Sequence, residues 1–281
     1  MRAGVQFSLN DSNVDATQAL SQRQLAVSIS AIADTTSHTA PLNLCLILDH
    51  SGSMAGRPLD TVRQAAQRLV DRMSLGDRLA IVGFDHKAKV LVPSHELENP
   101  ASVKAKINQL AAGGGTAIDE GLKVGIEELI KGKQGSISQA FLLTDGENEH
   151  GDNDRCLKLA QLAANYSMTI NTLGFGDAWN QDILEAIADG GGGAMAYIQQ
   201  PEHATAEFAR LLTRLQAVGL TNSYLTLTLP MGVRLADLKP VAQVAPDTIE
   251  LTVLREGNQA IVRLGHLMVD VPRVVLANVY L

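Results

Sequence analysis

Apolar and polar positions alternate near the start of the chain. Val5, Phe7 and Leu9 are separated by polar residues, and Leu25, Val27, Ile29 and Ala31 are set against Ala26, Ser28 and Ser30. A period of two predicts β-strands with one buried face. The stretch TTSHTAP, Thr35 to Pro41, reads as a polar connection. The pattern then changes. LNLCLILD (42–49) is a continuous apolar run, the mark of a central parallel strand covered on both faces. A helix is expected from Pro58 to Met73, with Leu59, Val62, Ala66, Leu69, Val70 and Met73 on one face. RLAIVGF (78–84) and KVLVP (89–93) read as a strand hairpin. SVKAKINQL (102–110) and AIDEGLKVGIEELIK (117–131) read as helices around the loop AAGGGT (111–116). Strands at 139–145, 168–176 and 194–198 then alternate with helices at 154–166, 182–190 and 202–218. Such alternation predicts a mostly parallel sheet wound on both sides.

After Gly219 the two-residue period returns. Leu225, Leu227 and Leu229 alternate with threonines, Ile249, Leu251 and Val253 repeat the pattern, and AIVRL and RVVLANVYL follow. Two strands at the beginning cannot bury a face alone, but further strands at the end can complete them. The expected fold class is therefore α/β: a doubly wound, Rossmann-like, mostly parallel sheet inserted into a β-sandwich built from both chain ends. The expected boundaries are 1–38 and 219–281 for the sandwich and 39–218 for the inserted domain.

Composition narrows the function. Hydrophobic residues make up 46% of the chain and charged ones 19%, which calls for a packed core. The net charge of −7 argues against nucleic acid or anionic lipid as partners and is compatible with binding a cation. No run approaches the roughly 18–20 apolar residues of a membrane span. MRAGVQFSLNDSN lacks the apolar core of a signal peptide. Cys45 and Cys156 read as buried free thiols, and a cytoplasmic location is expected. Nothing in the pattern specifies an oligomeric state.

Polar residues stand at three predicted strand ends or adjoining loops, where ligands bind in open parallel sheets. Asp49, Ser51 and Ser53 follow the first buried strand. Thr116 follows the glycines at 113–115, and Asp145 ends QAFLLTD. Two carboxylates and three hydroxyls on short side chains suit a hard divalent cation such as Mg²⁺, with Mn²⁺ or Ca²⁺ as alternatives. Two negative charges balance the ion and leave a coordination place for an outside oxygen.

Asp-x-Ser-x-Ser after an apolar strand, a distant Gly-Gly-Thr and a later Thr-Asp-Gly resemble the von Willebrand factor type A domain and its metal-ion-dependent adhesion site. The resemblance covers Leu42 to Val218. It implies that Asp49, Ser51, Ser53, Thr116 and Asp145 bind Mg²⁺ or a similar ion, and that a protein partner's Asp or Glu completes the coordination. Related domains also act as adaptor subunits of AAA+ ATPases and metal chelatases, which gives an alternative role.

Other readings compete. Ser51 or Ser53 can cap the following helix, and Thr116 can cap the helix at 117. The oxygen-rich segment Glu147 to Asp154 reads as a solvated loop with Asp152 or Asn153 as the next helix cap. His50, His86 and His150 lack zinc-site spacing. The glycines at 190–193 fit a helix stop better than a phosphate loop. Trp179 is expected to pack under a loop. A Mg²⁺-dependent phosphatase with Asp49 as nucleophile needs a second acid two residues on, where Ser51 stands. A binding protein, not an enzyme, is expected.

Overall fold

A computed structural model describes residues 2–13, 17, 20–32, 41–74, 76–133, 135–145, 148–175, 180–198, 206, 210, 213, 217–246, 248–269 and 271–281. The residues divide into two compact units, Met1–Thr39 with Ala217–Leu281, and Ala40–Gln216.

The first unit begins with strands β1 (Arg2–Leu9) and β2 (Gln22–Ile32). The second contains, in order, β3 (Leu42–Asp49), α1 (Arg57–Val70), β4 (Arg78–Phe84), β5 (Ala88–Glu96), α2 (Pro100–Asn108), α3 (Ile118–Lys131), β6 (Ile137–Thr144), α4 (Asn153–Asn165), β7 (Met168–Phe175), α5 (Gln181–Gly190) and β8 (Gly192–Ile198). The chain then returns to the first unit with β9 (Val218–Thr228), β10 (Arg234–Leu235), β11 (Val241–Ala245), β12 (Ile249–Glu250), β13 (Val253–Glu256), β14 (Gln259–Met268) and β15 (Arg273–Tyr280).

In the second unit the strand order is β5-β4-β3-β6-β7-β8. All neighbours are parallel except the β4–β5 hairpin. Every residue of β3 and β6 is buried, as their unbroken apolar runs require. Cys45, Ile47, Phe84 and Leu142 share one core with Ile118, Leu122, Ile126 and Leu129 of α3 and with residues of α4 and α5. Leu44, Leu46 and Leu48 alternate to the other face of β3 and are equally closed to solvent. Glycine inside α3 has a packing reason. A Cβ at Gly125 would lie 2.4 Å from Ile47 Cδ1, so α3 could not sit this close to β3 with a larger residue.

The first unit holds two antiparallel sheets, β1-β2-β15-β11-β12 with β10 added on β15, and β13-β14-β9. Val27, Ile29, Val241, Val275 and Ala277 of one sheet and Ala260, Val262, Leu264 and Leu267 of the other form a single core. One expectation fails here. The apolar alternation in β1 predicts a buried face, yet Phe7 is 78% and Val5 54% exposed. Both lie on the core side, in register with Val27 and Ile29 of β2. β1 is an edge strand, and the facing sheet has only three strands and leaves it uncovered.

The competing cap readings of Ser51 and Thr116 fail, and one expected cap holds. Thr116 does not cap α3: Ala117 occupies that position without a side-chain bond. The Ile118 N–H donates instead to Asn148 Oδ1 at 2.7 Å. Gly56 stands at the cap of α1, and Ser51 precedes a short 3₁₀ turn, Gly52–Met54, without capping it. Asp152 does cap α4, accepting from the Arg155 N–H at 3.1 Å. The glycine run begins as the end of α5 and continues directly into β8. Ala217 and Val218, expected at the end of the last helix, are a turn and the start of β9. The rest of that helix, apart from residues 206, 210 and 213, lies outside the described residues, as do Trp179, Gly146, Glu147 and the link at 35–40. No described helix is long and apolar enough to cross a membrane.

Candidate metal centre

The strand order turns around β3 and β6. From β3 the chain passes through α1 to β4 on one side, whereas β6 lies on the other. A crevice forms outside the carboxyl ends of strands at such a reversal. Asp49 is the last residue of β3, Thr144 the last of β6, and Asp145 follows it. Two buried apolar strands thus deliver two carboxylates to one edge.

Asp49 is fully buried, and both its oxygens are held. The Ser51 N–H donates to Oδ1 at 2.7 Å, and the Thr144 hydroxyl donates to Oδ2 at 2.5 Å. The hydroxyls of Ser51 and Ser53 are 3.1 Å apart, and Ser53 Oγ donates to Asp145 Oδ1 at 2.9 Å. A continuous hydrogen-bonded chain therefore joins Asp49, Ser51, Ser53 and Asp145. Thr116 reaches the same edge by another route. Its loop is tied to the first turn by the Gly52 N–H donating to the Gly114 carbonyl at 3.0 Å and the Gly113 N–H donating to the His50 carbonyl at 2.9 Å. Thr116 is buried, and among the described residues its hydroxyl makes no hydrogen bond to the other four side chains.

Electrostatics give the fit test. Burial raises the Asp49 carboxyl above its usual range, against the hydrogen bonds from Thr144 and Ser51, and the Asp145 charge adds to the rise. Burial raises Asp145 as well, opposed by its bond from Ser53. Among the described residues, no lysine or arginine contributes to either shift. Two carboxylates bridged by hydroxyls, without a described cationic side chain acting on them, fit a hard divalent cation.

No three His, Cys, Asp or Glu side chains gather at metal-binding separation among the described residues. His50, His86 and His150 thus make no zinc cluster with one another, and a cation held at this edge would need hydroxyl donors beside the two carboxylates. Thr144 is the first residue of Thr-Asp-Gly but was given no role from the sequence. Its signal was its place, the last residue of a buried strand directly before an acid. Cys45 and Cys156 are buried free thiols, and burial pushes Cys156 up to about 12.

A sheet of this order with a carboxylate–hydroxyl set at its reversal defines a class. The sequence profile of the von Willebrand factor type A domain matches residues 43–210, and the chain belongs to that family. An uncharacterized protein of Synechocystis, sll0103, is 53% identical over 281 residues, covering all of this chain and 67% of that protein. Inter-alpha-trypsin inhibitor heavy chain H4 of Bos taurus is 28% identical over 256 residues, covering 86% of this chain and 26% of that one. Among solved structures, a von Willebrand factor type A protein from Catenulispora acidiphila superposes with a TM-score of 0.80 at 21% identity, over 98% of this chain and 64% of that one. The pilus adhesin SpaC from Lactobacillus rhamnosus GG superposes at 0.55 and 14% identity, over 99% of this chain and 42% of that one. These two likenesses concern the fold.

Proposed function

We propose that this chain is a metal-dependent protein-binding module. Asp49, Ser51, Ser53, Thr116 and Asp145 hold Mg²⁺, and a partner's Asp or Glu side chain completes the coordination. The observation that carries this reading is the hydrogen-bonded chain from Asp49 through Ser51 and Ser53 to Asp145, at the reversal point of the sheet. Short hydroxyl donors and only two acids favour Mg²⁺ over Ca²⁺, which takes about six to eight oxygens. When bound, the ion supplies a coordination position for an anionic oxygen. The protein's own part is to aim five short side chains and to oppose the effect of burial on Asp49 with hydrogen bonds from Thr144 and Ser51. Ser51 stands where a phosphoryl-transfer site would need a second acid, which supports binding over catalysis. The fold shared with a pilus adhesin agrees with a role in contact between proteins.

Affinity capture from a lysate tests this reading. The expected result is a set of proteins retained in Mg²⁺, lost in EDTA and lost with Thr116→Ala. Retention of the same proteins in all three would show that the centre is not the recruiting surface.

A further inference from the structure

Two of the proposed ligands lie outside the Asp49–Ser53 turn. Thr116 ends one loop and Asp145 opens another. A short segment, residues 148–151, fastens one loop to the other. Asn148 Oδ1 accepts the Ile118 N–H at 2.7 Å, and Asn148 Nδ2 donates to Asn153 Oδ1 at 2.9 Å and lies 3.7 Å from Cys156 Sγ. The His150 N–H donates to the Thr116 carbonyl at 2.9 Å. Gly151 closes the turn so tightly that a Cβ there would lie 2.0 Å from Asn148 Oδ1 and 2.4 Å from Asp119 Oδ1. Arg155, in the first turn of α4, donates to Asp119 at 2.7 Å and to Glu120 at 2.6 Å.

The first N–H groups of a helix have no partner within it. In most helices a side chain at the cap position supplies one. Ala117 cannot, and the acceptor comes instead from a residue 30 positions away, on the loop that carries Asp145. A local Ser or Asp would satisfy the helix equally well but would leave the two loops independent. Here the cap is also a tether. Asn148 Oδ1 and Asp119 Oδ2 already accept N–H donors, and the Arg155 guanidinium supplies positive charge beside them.

We propose that Asn148 is a positioning residue for the metal centre: through Ile118, with the His150 N–H beside it on the Thr116 carbonyl, it fixes the place of Thr116 in that centre. It touches neither the ion nor the partner. This inference rests on the metal reading above.

The test is an electron paramagnetic resonance titration of Mn²⁺, a stand-in for Mg²⁺, into the full chain. Wild type, Asp145→Asn, Asn148→Ala and Asn148→Asp are compared, with thermal melting and amide exchange at Ile118 measured on each. Wild type binds and Asp145→Asn does not; failure of that pair would overturn the metal reading itself. Asn148→Ala is expected to bind about tenfold or more weakly, as when a group that orients metal ligands is lost. Its Ile118 amide exchanges faster. Asn148→Asp keeps the acceptor and stays within about threefold of wild type. Wild-type binding with an unchanged Asn148→Ala affinity would overturn the proposal and leave the metal reading intact. Equal weakening by Ala and Asp would also overturn it, since the acceptor would then not be what matters. Should Asn148→Ala not fold, Asn153→Ala, which frees only the amide side of Asn148, is expected to weaken Mn²⁺ by about threefold. No change there counts against the tether.

Discussion

At the scale of single residues, the proposed centre is held by groups that are not among its proposed ligands. Thr144 is fully buried and donates to Asp49. Thr144→Val keeps the shape but strands one carboxylate oxygen. Cation affinity is expected to fall by about tenfold, by calorimetric titration, and the folded chain to lose about 1–3 kcal/mol in chemical denaturation. His266 offers a test in the other unit. Burial, with Arg263 and Arg273 close by, lowers it from 6.5 to about 4. Between those values the unfolded chain takes up a proton that the folded chain refuses, so acidification removes stability across that window. Urea midpoints should fall from pH 7 to pH 5, and fall less in His266→Gln. An identical fall in both would remove His266 from the account. The five candidate ligands were legible because each stands beside a buried strand or a glycine turn. Thr144 stood in the Thr-Asp-Gly motif without a role, and Asn148 carried no local signal, because its partner lies 30 residues away.

At the scale of elements, unbroken apolar runs such as β3 and β6 were plain in the sequence, since a strand buried on both faces leaves no alternation to misread. β1 shows the opposite case. Its alternation correctly marks a strand, but alternation cannot say whether a second sheet lies over the apolar side. The consequence is measurable. Phe7→Ser should change stability by less than about 0.5 kcal/mol. Ile29→Ala, one strand inward and in the shared core, should cost about 2–5 kcal/mol in chemical denaturation. Comparable losses at both sites would mean that β1 is covered after all. The competing reading of Thr116 as the cap of α3 fails for a related reason. Thr116 has the right side chain in nearly the right place, and nothing local reveals that an asparagine on another loop does the work.

At the scale of the whole molecule, the return of two-residue alternation after Gly219 already suggested that both chain ends meet in one body. The structure places Met1–Thr39 and Ala217–Leu281 in one unit. The net charge of −7 suits a protein that holds a cation, but it does not locate the site. That comes from topology, which sets Asp49 and Asp145 at adjoining strand ends. The central claim is that these groups form one divalent-cation site. Calorimetric titration of Mg²⁺ into EDTA-stripped protein tests it most directly. A single saturable site in wild type, absent in Asp49→Asn and in Asp145→Asn that still fold, is predicted. No binding by wild type, or equal binding by all three proteins, would contradict it.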